Sequence, residues 1–234
     1  MPEQPRVMPY VPSAVNAPDP GHAPPSTVPG TEPLIRALRR ATAEDHAAVE
    51  RLPVMAALMA PTVTWDDYRR YLERMARVYG TLEPPLLASL DGALVAQPDL
   101  RPAVRPKLPV LLSDLAALGI PAPSIAARPD PGGLSEALGG LYVLEGATLG
   151  SRVIARHLRR HLQDGAGNPL GSAAFMGLHD DAQAPAVSLA WRQFGDSLEA
   201  LAERQLVTRD RVVKGARAAF EWVYLILAGP PPLP

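Results

Sequence analysis

A histidine and a glutamate one helical turn apart, His46 and Glu50, are the first residues in the chain whose types and spacing could do chemistry. On a helix, positions i and i+4 share a face. A metal-bound imidazole gives its second ring nitrogen to an acceptor, which fixes the tautomer and tunes the ligand. His46 and Glu50 could build that arrangement within one helix; the same spacing also describes a surface His–Glu pair. Arg39, seven residues before His46, falls two turns away on the same face. A second set is Gly139, Gly140, Gly146 and Gly150. Each interior glycine costs a helix about 1 kcal/mol relative to alanine. Gly146 and Gly150, four apart, open a flat patch, suited either to close helix packing or to a planar ligand lying on the backbone. Arg39 and Arg192 could meet carboxylates at a ligand's edge, since a guanidinium binds a carboxylate in bidentate fashion; a solvated surface also accounts for each. His157 and His161 repeat the i, i+4 spacing, but Arg156, Arg159 and Arg160 surround them and no carboxylate follows at zincin spacing. A basic surface is the simpler reading there.

The elements that must position these residues are helical. Leu34 to about Arg51 forms an amphipathic run. Thr64 and Asp67 make a capping-box variant, opening a segment in which Tyr68, Tyr71, Leu72, Met75 and Val78 mark one face. Pro84 and Pro85 kink that helix or start another. A helix follows over 102–118, ending at Gly119, and residues 121–133 are a loop. A long helix runs from Leu134 to about Leu162, with a Gly-rich loop from Gly165 to Gly171. Ala186–Leu201 and Arg209–Leu227 are the last two helices. No segment alternates as a strand would, so the fold class is all-α.

The chain has 234 residues, 47% of them hydrophobic and 20% charged, with a formal net charge of -1. That suits one globular domain and gives no electrostatic case for nucleic acid or anionic lipid. The absence of cysteine excludes thiolate catalysis, disulfides, iron–sulfur clusters and Cys-ligated haem. No apolar run is long enough to span a bilayer and no secretory signal is evident, so the expected location is cytoplasmic. Proline, at 28 residues, crowds 1–33 and 229–234. Both are expected to be disordered tails flanking a domain over 34–228.

Taken in order, these motifs resemble the bacterial haem oxygenases, in particular the type encoded beside bacterial phytochromes. The stretch from Leu38 to Met55, LRRATAEDHAAVERLPVM, is similar to the family's proximal helix. GLYVLEGATLGS, from Gly140 to Ser151, is similar to its distal helix. Ala173–Gly177 through Trp191–Phe194 matches further on. The resemblance covers about residues 34–225.

It implies a helical bundle with haem, both cofactor and substrate, between proximal and distal helices. By the resemblance His46 ligates the iron, Glu50 bonds His46, and Arg39, Arg192 and Tyr142 approach the propionates. Gly146 and Gly150 are the catalytic distal glycines touching the haem face, Ser151 follows them, and Phe220 lines the pocket. The activity implied is oxidation of haem by dioxygen to biliverdin, carbon monoxide and iron. An external donor such as ferredoxin or flavodoxin supplies electrons, and a phytochrome would accept biliverdin.

Animal members carry an aspartate where this chain has Ala147, so another group must order distal water. That departure sustains a second reading, a haem carrier or sensor without turnover. A thiamin-degrading enzyme of similar fold would need a cysteine nucleophile. The strip Arg152, Arg156, Arg159 and Arg160 is expected to dock an acidic electron donor or to be solvated surface.

Overall fold

The computed structural model describes residues 32–125, 129–162 and 184–229. The N-terminal tail through residue 31, the Gly-rich loop, the 173–177 motif and the last five residues lie outside them. Among the described residues there are eight α-helices and no strand: α1 (Leu34–Ala41), α2 (Ala43–Glu50), α3 (Pro53–Leu58), α4 (Trp65–Ala93), α5 (Leu108–Ala117), α6 (Leu134–His161), α7 (Ala184–Glu203) and α8 (Arg209–Ala228). None of them is long and apolar enough to cross a membrane.

The amphipathic run from Leu34 is two helices rather than one. Thr42 leaves helical geometry at φ -110°, ψ 10°. Its hydroxyl donates back to the Leu38 carbonyl at 2.9 Å, and such i−4 back-bonding bends helices. The break is fixed from outside as well: Arg217 of α8 donates twice to the Ala41 carbonyl, at 3.1 and 2.9 Å. At the other end of α1, the Leu34 N–H donates to Glu199 of α7. The helix that carries His46 is therefore aimed independently of the helix that carries Arg39.

The capping box at Thr64 forms with both of its reciprocal bonds. All five residues of the anticipated face, Tyr68, Tyr71, Leu72, Met75 and Val78, are buried. Pro84 and Pro85 neither end nor restart α4, which runs on to Ala93. Leu82, Leu86 and Leu90 stay buried across the prolines, so tertiary packing outweighs the missing backbone bond. α5 begins at Leu108 rather than 102. Its first turn is held by Glu83 of α4, whose two carboxylate oxygens accept from the N–H groups of Lys107 and Leu108 at 2.7 and 2.9 Å.

α6 begins after Gly132 and Gly133, which sit at φ +82° and +124°, a region only glycine enters readily. It crosses α8 without side chains between them. A methyl at Gly139 would collide with the Val212 carbonyl and the Ala216 N–H, and one at Gly215 with the Glu136 backbone. These two glycines serve helix packing. α8 packs against α6 on one side and against α1, α2 and α3 on another, so it is the wall shared by the His46 helix and the Gly146 helix.

Candidate functional site

His46 sits near the middle of α2, a helix with no buried residue although it packs on α8. Its Nδ1 is 3.6 Å from Glu50 Oε1, inside ion-pair range and longer than a hydrogen bond. Phe220 of α8 meets the imidazole edge-on, ring centroids 6.0 Å apart. The ring is thus held from two sides and stays half exposed, at 48%.

α6 changes character along its length. Residues 135–144 are buried, and residues 145–150 are all half-buried. A helix whose circumference opens for six residues in mid-course borders space that the described residues do not fill. Gly146 and Gly150 lie within that opening. Among the described atoms, a methyl at Gly146 would meet only the indole of Trp191, at 3.5 Å, and one at Gly150 would meet none within 4 Å. The packing role that explains Gly139 does not extend to them. Gly140 belongs with Gly139, since a methyl there would press on the Leu86 side chain.

Tyr142 is buried one turn before Gly146. It bonds the Thr42 side chain and feels the positive charge of Arg39, while burial pushes its hydroxyl above the ordinary range. Arg39 and Tyr142, named separately from the sequence, therefore share one edge, at the α1–α2 break. Arg192 lies on α7 beside Trp191 and is exposed. Ser151 is buried; its hydroxyl donates to the Ala147 carbonyl at 2.8 Å and bonds Tyr71 of α4. His157 Nε2 meets the Ala60 carbonyl and His161 Nδ1 the His157 carbonyl, both at 2.9 Å. Their rings stack at 4.1 Å.

Several residues at the site escape a sequence reading. Trp191 tilts against Tyr142 with centroids 5.5 Å apart and stacks on Phe194 at 6.0 Å. Lys107, almost wholly buried, pairs with Glu145, the residue just before Gly146. Tyr79 of α4 donates to the Leu144 carbonyl at 3.4 Å. Apart from Trp191 on Phe194, three residues apart on α7, these contacts join residues far apart in the chain and leave no local spacing signal.

The arrangement offers an imidazole with a carboxylate behind it, a helix segment with glycines at 146 and 150, a shared α8 wall, and a tyrosine and arginine at one edge. It fits a flat, anionic, metal-bearing macrocycle: one axial nitrogen ligand, one backbone face, one cationic rim.

Comparison with known proteins places the chain among relatives. The family model for heme oxygenase matches residues 32–227. A heme oxygenase of Xanthomonas campestris pv. campestris is 33% identical over 176 residues, covering 75% of this chain and 97% of its own length. Among solved structures, the NO- and CO-bound heme oxygenase of Neisseria meningitidis superposes with a TM-score of 0.60 at 22% identity, over 84% of this chain and 91% of that one. A heme oxygenase from Leptospira interrogans gives 0.57 at 19%, over 84% and 99%. One from the cyanobacterium Synechocystis, solved with heme, gives 0.55 at 18%, over 84% and 91%. At these identities the structural likeness carries the fold; the sequence match carries the family. With residues 32–227 matched by the family model, and a relative 33% identical over 176 aligned residues, the chain belongs to the heme oxygenase family.

Proposed function

We propose that this chain takes haem between α2 and α6, with His46 as the axial ligand and Gly146 and Gly150 against the opposite face. Haem degradation is the family's activity and, by membership, this chain's. The finer reading is that the products are biliverdin, carbon monoxide and iron. The domain would span 34–228, flanked by tails over 1–33 and 229–234, and would work in the cytoplasm.

The observation that carries this reading is the pairing of His46 with Glu50 at 3.6 Å on a helix that buries none of its residues. Bound haem iron supplies the redox chemistry with dioxygen; the protein's part is to hold, orient and exclude water. Glu50 orients the imidazole through Nδ1. Phe220 keeps the ring from turning. Arg39, Arg192 and Tyr142 would take the propionates at the edge. Gly146 and Gly150 let the distal backbone approach the macrocycle without a side chain between. The helix bears no histidine or carboxylate at 146–151 that could act as a strong acid there.

Electrons must come from outside. The strip Arg152, Arg156, Arg159 and Arg160 follows directly on the distal segment, and the last three are exposed. It suits an acidic donor of the ferredoxin or flavodoxin kind, docked by charge. A phytochrome is the proposed acceptor of biliverdin.

The test is haem titration followed by reductant under air. The reading expects one haem per chain, loss of the Soret band, and biliverdin with carbon monoxide. Haem bound and left intact with a competent ferredoxin system would instead favour a carrier or sensor, the reading that Ala147 sustains.

A further inference from the structure

Thr42 is the last buried residue before His46, at 2% exposure. Every residue of α2 is at least partly exposed, and the next buried one is Leu52. The helix that carries His46 thus has no deeply buried anchor of its own. Its direction comes from its ends and from the α8 surface on which it rests.

At the N-terminal end the bonding converges on Thr42. Its N–H and its hydroxyl both donate to the Leu38 carbonyl, at 3.0 and 2.9 Å. A carbonyl shared in this way bends a helix, and the backbone at Thr42 has turned to φ -110°, ψ 10°. The Thr42 carbonyl in turn accepts the His46 N–H at 2.9 Å. The Ala41 carbonyl beside it accepts from Nε and Nη2 of Arg217, at 3.1 and 2.9 Å. A hydroxyl has one hydrogen to give. That of Thr42 goes to Leu38, so in its bond with Tyr142 of α6 Thr42 accepts and Tyr142 donates. One buried hydroxyl therefore joins the bend before the His46 helix to the helix that carries Gly146.

His46 lies four residues beyond Thr42, about 6 Å along a helix axis. On that lever a change of about 10° in the bend moves the imidazole by about 1 Å. A ligand constellation tolerates about 0.5 Å. The Glu50 contact lies within α2 and turns the ring on its own helix; it does not aim the helix.

We propose that Thr42 is a positioning residue for the axial ligand. Its hydroxyl, held between the Leu38 carbonyl and Tyr142, fixes the bend that aims α2 and with it the imidazole of His46. This inference rests on the reading above that His46 ligates the iron.

The experiment compares wild type with Thr42→Val, Thr42→Ser and Arg217→Ala. Valine keeps the branched shape and removes the hydroxyl; serine keeps the hydroxyl. Three quantities are read: haem affinity by Soret titration, the iron–histidine stretching band of ferrous haem, and an α2–α8 distance without haem. The chain has no cysteine, so spin labels at Glu44→Cys and Lys214→Cys, both exposed positions, report that distance cleanly. Thr42→Val is expected to bind haem about tenfold more weakly, the usual effect of losing an outer support of a metal ligand. Its iron–histidine band should shift or broaden and its label distances spread, with helicity by circular dichroism retained. Thr42→Ser should match wild type in all three. Arg217→Ala removes an exposed side chain and should move the band and the distances in the same direction, so it decides the matter if the valine variant does not fold.

Wild-type band and label distances in Thr42→Val, or in Arg217→Ala, would overturn the inference. So would equal losses in the serine and valine variants, since shape and not the hydroxyl would then be at work. Spread label distances with an unmoved iron–histidine band would overturn it too, because the aim of the ligand would not depend on the bend. In each of these cases the proposed function stands. A His46→Ala protein that keeps the wild-type haem spectrum would instead overturn the ligand assignment, and the inference with it.

Discussion

The Nδ1 atom of His46 lies 3.6 Å from the Oε1 atom of Glu50, one turn along the same short helix. The contact is looser than a hydrogen bond and close enough for the carboxylate to favour a proton on that nitrogen, which leaves Nε2 as the lone-pair side of the ring. Glu50→Gln keeps the shape and removes the charge. Haem affinity is expected to fall about tenfold or more, the usual effect of losing such a support, with no loss of helicity. Parallel haem titrations and thermal melts of the two proteins check this.

The glycines of α6 divide into two functional groups, and stability separates them. Gly139→Ala and Gly215→Ala push a methyl into backbone atoms of the neighbouring helix. Each should cost about 1–3 kcal/mol or more, read as a lower urea midpoint. Gly150→Ala meets no described atom within 4 Å and should leave stability unchanged or raise it by up to about 1 kcal/mol. It should nevertheless slow haem turnover. A Gly150→Ala protein that is as destabilised as Gly139→Ala would assign Gly150 to packing.

That division shows where the sequence was legible. The spacing of Tyr68, Tyr71, Leu72, Met75 and Val78 predicts the buried face of α4, because a helix in contact with one core repeats on one stripe. His46 and Glu50 are local, so their pairing is readable at i, i+4. The break at Thr42 is less so: threonine is common within helices, and the bend depends on Arg217, 175 residues later. Prolines 84 and 85 signal an interruption that the burial of Leu82, Leu86 and Leu90 overrides. Trp191 against Gly146 is a contact between distant helices, and a single sequence carries no trace of it.

Three tyrosines of α4 face inward and set the alkaline limit of the fold. Burial raises the hydroxyls of Tyr68, Tyr71 and Tyr79 above the ordinary 10, that of Tyr71 to about 12. A group whose folded pKa exceeds its unfolded one contributes stability below the unfolded value and loses it as pH rises through the folded value. Stability should therefore hold up to about pH 10 and fall steeply between there and about 12. Tyr71 alone accounts for about 3 kcal/mol of that loss. Urea denaturation across this range checks it; Tyr71→Phe should flatten the slope.

Charge reversal tests the donor surface. Arg156→Glu with Arg159→Glu should slow turnover driven by a protein donor such as ferredoxin and leave ascorbate-driven turnover unchanged. The loss should shrink as salt screens the encounter. Equal rates with both reductants would make the strip ordinary surface.

The most direct measurement is the Soret spectrum of haem bound to His46→Ala, with and without added imidazole. The account predicts that the variant alone loses the wild-type spectrum and that exogenous imidazole restores it, because the cavity left beside Glu50 and Phe220 can hold the free base. A variant that keeps the wild-type spectrum without imidazole would place the axial ligand elsewhere and contradict the account.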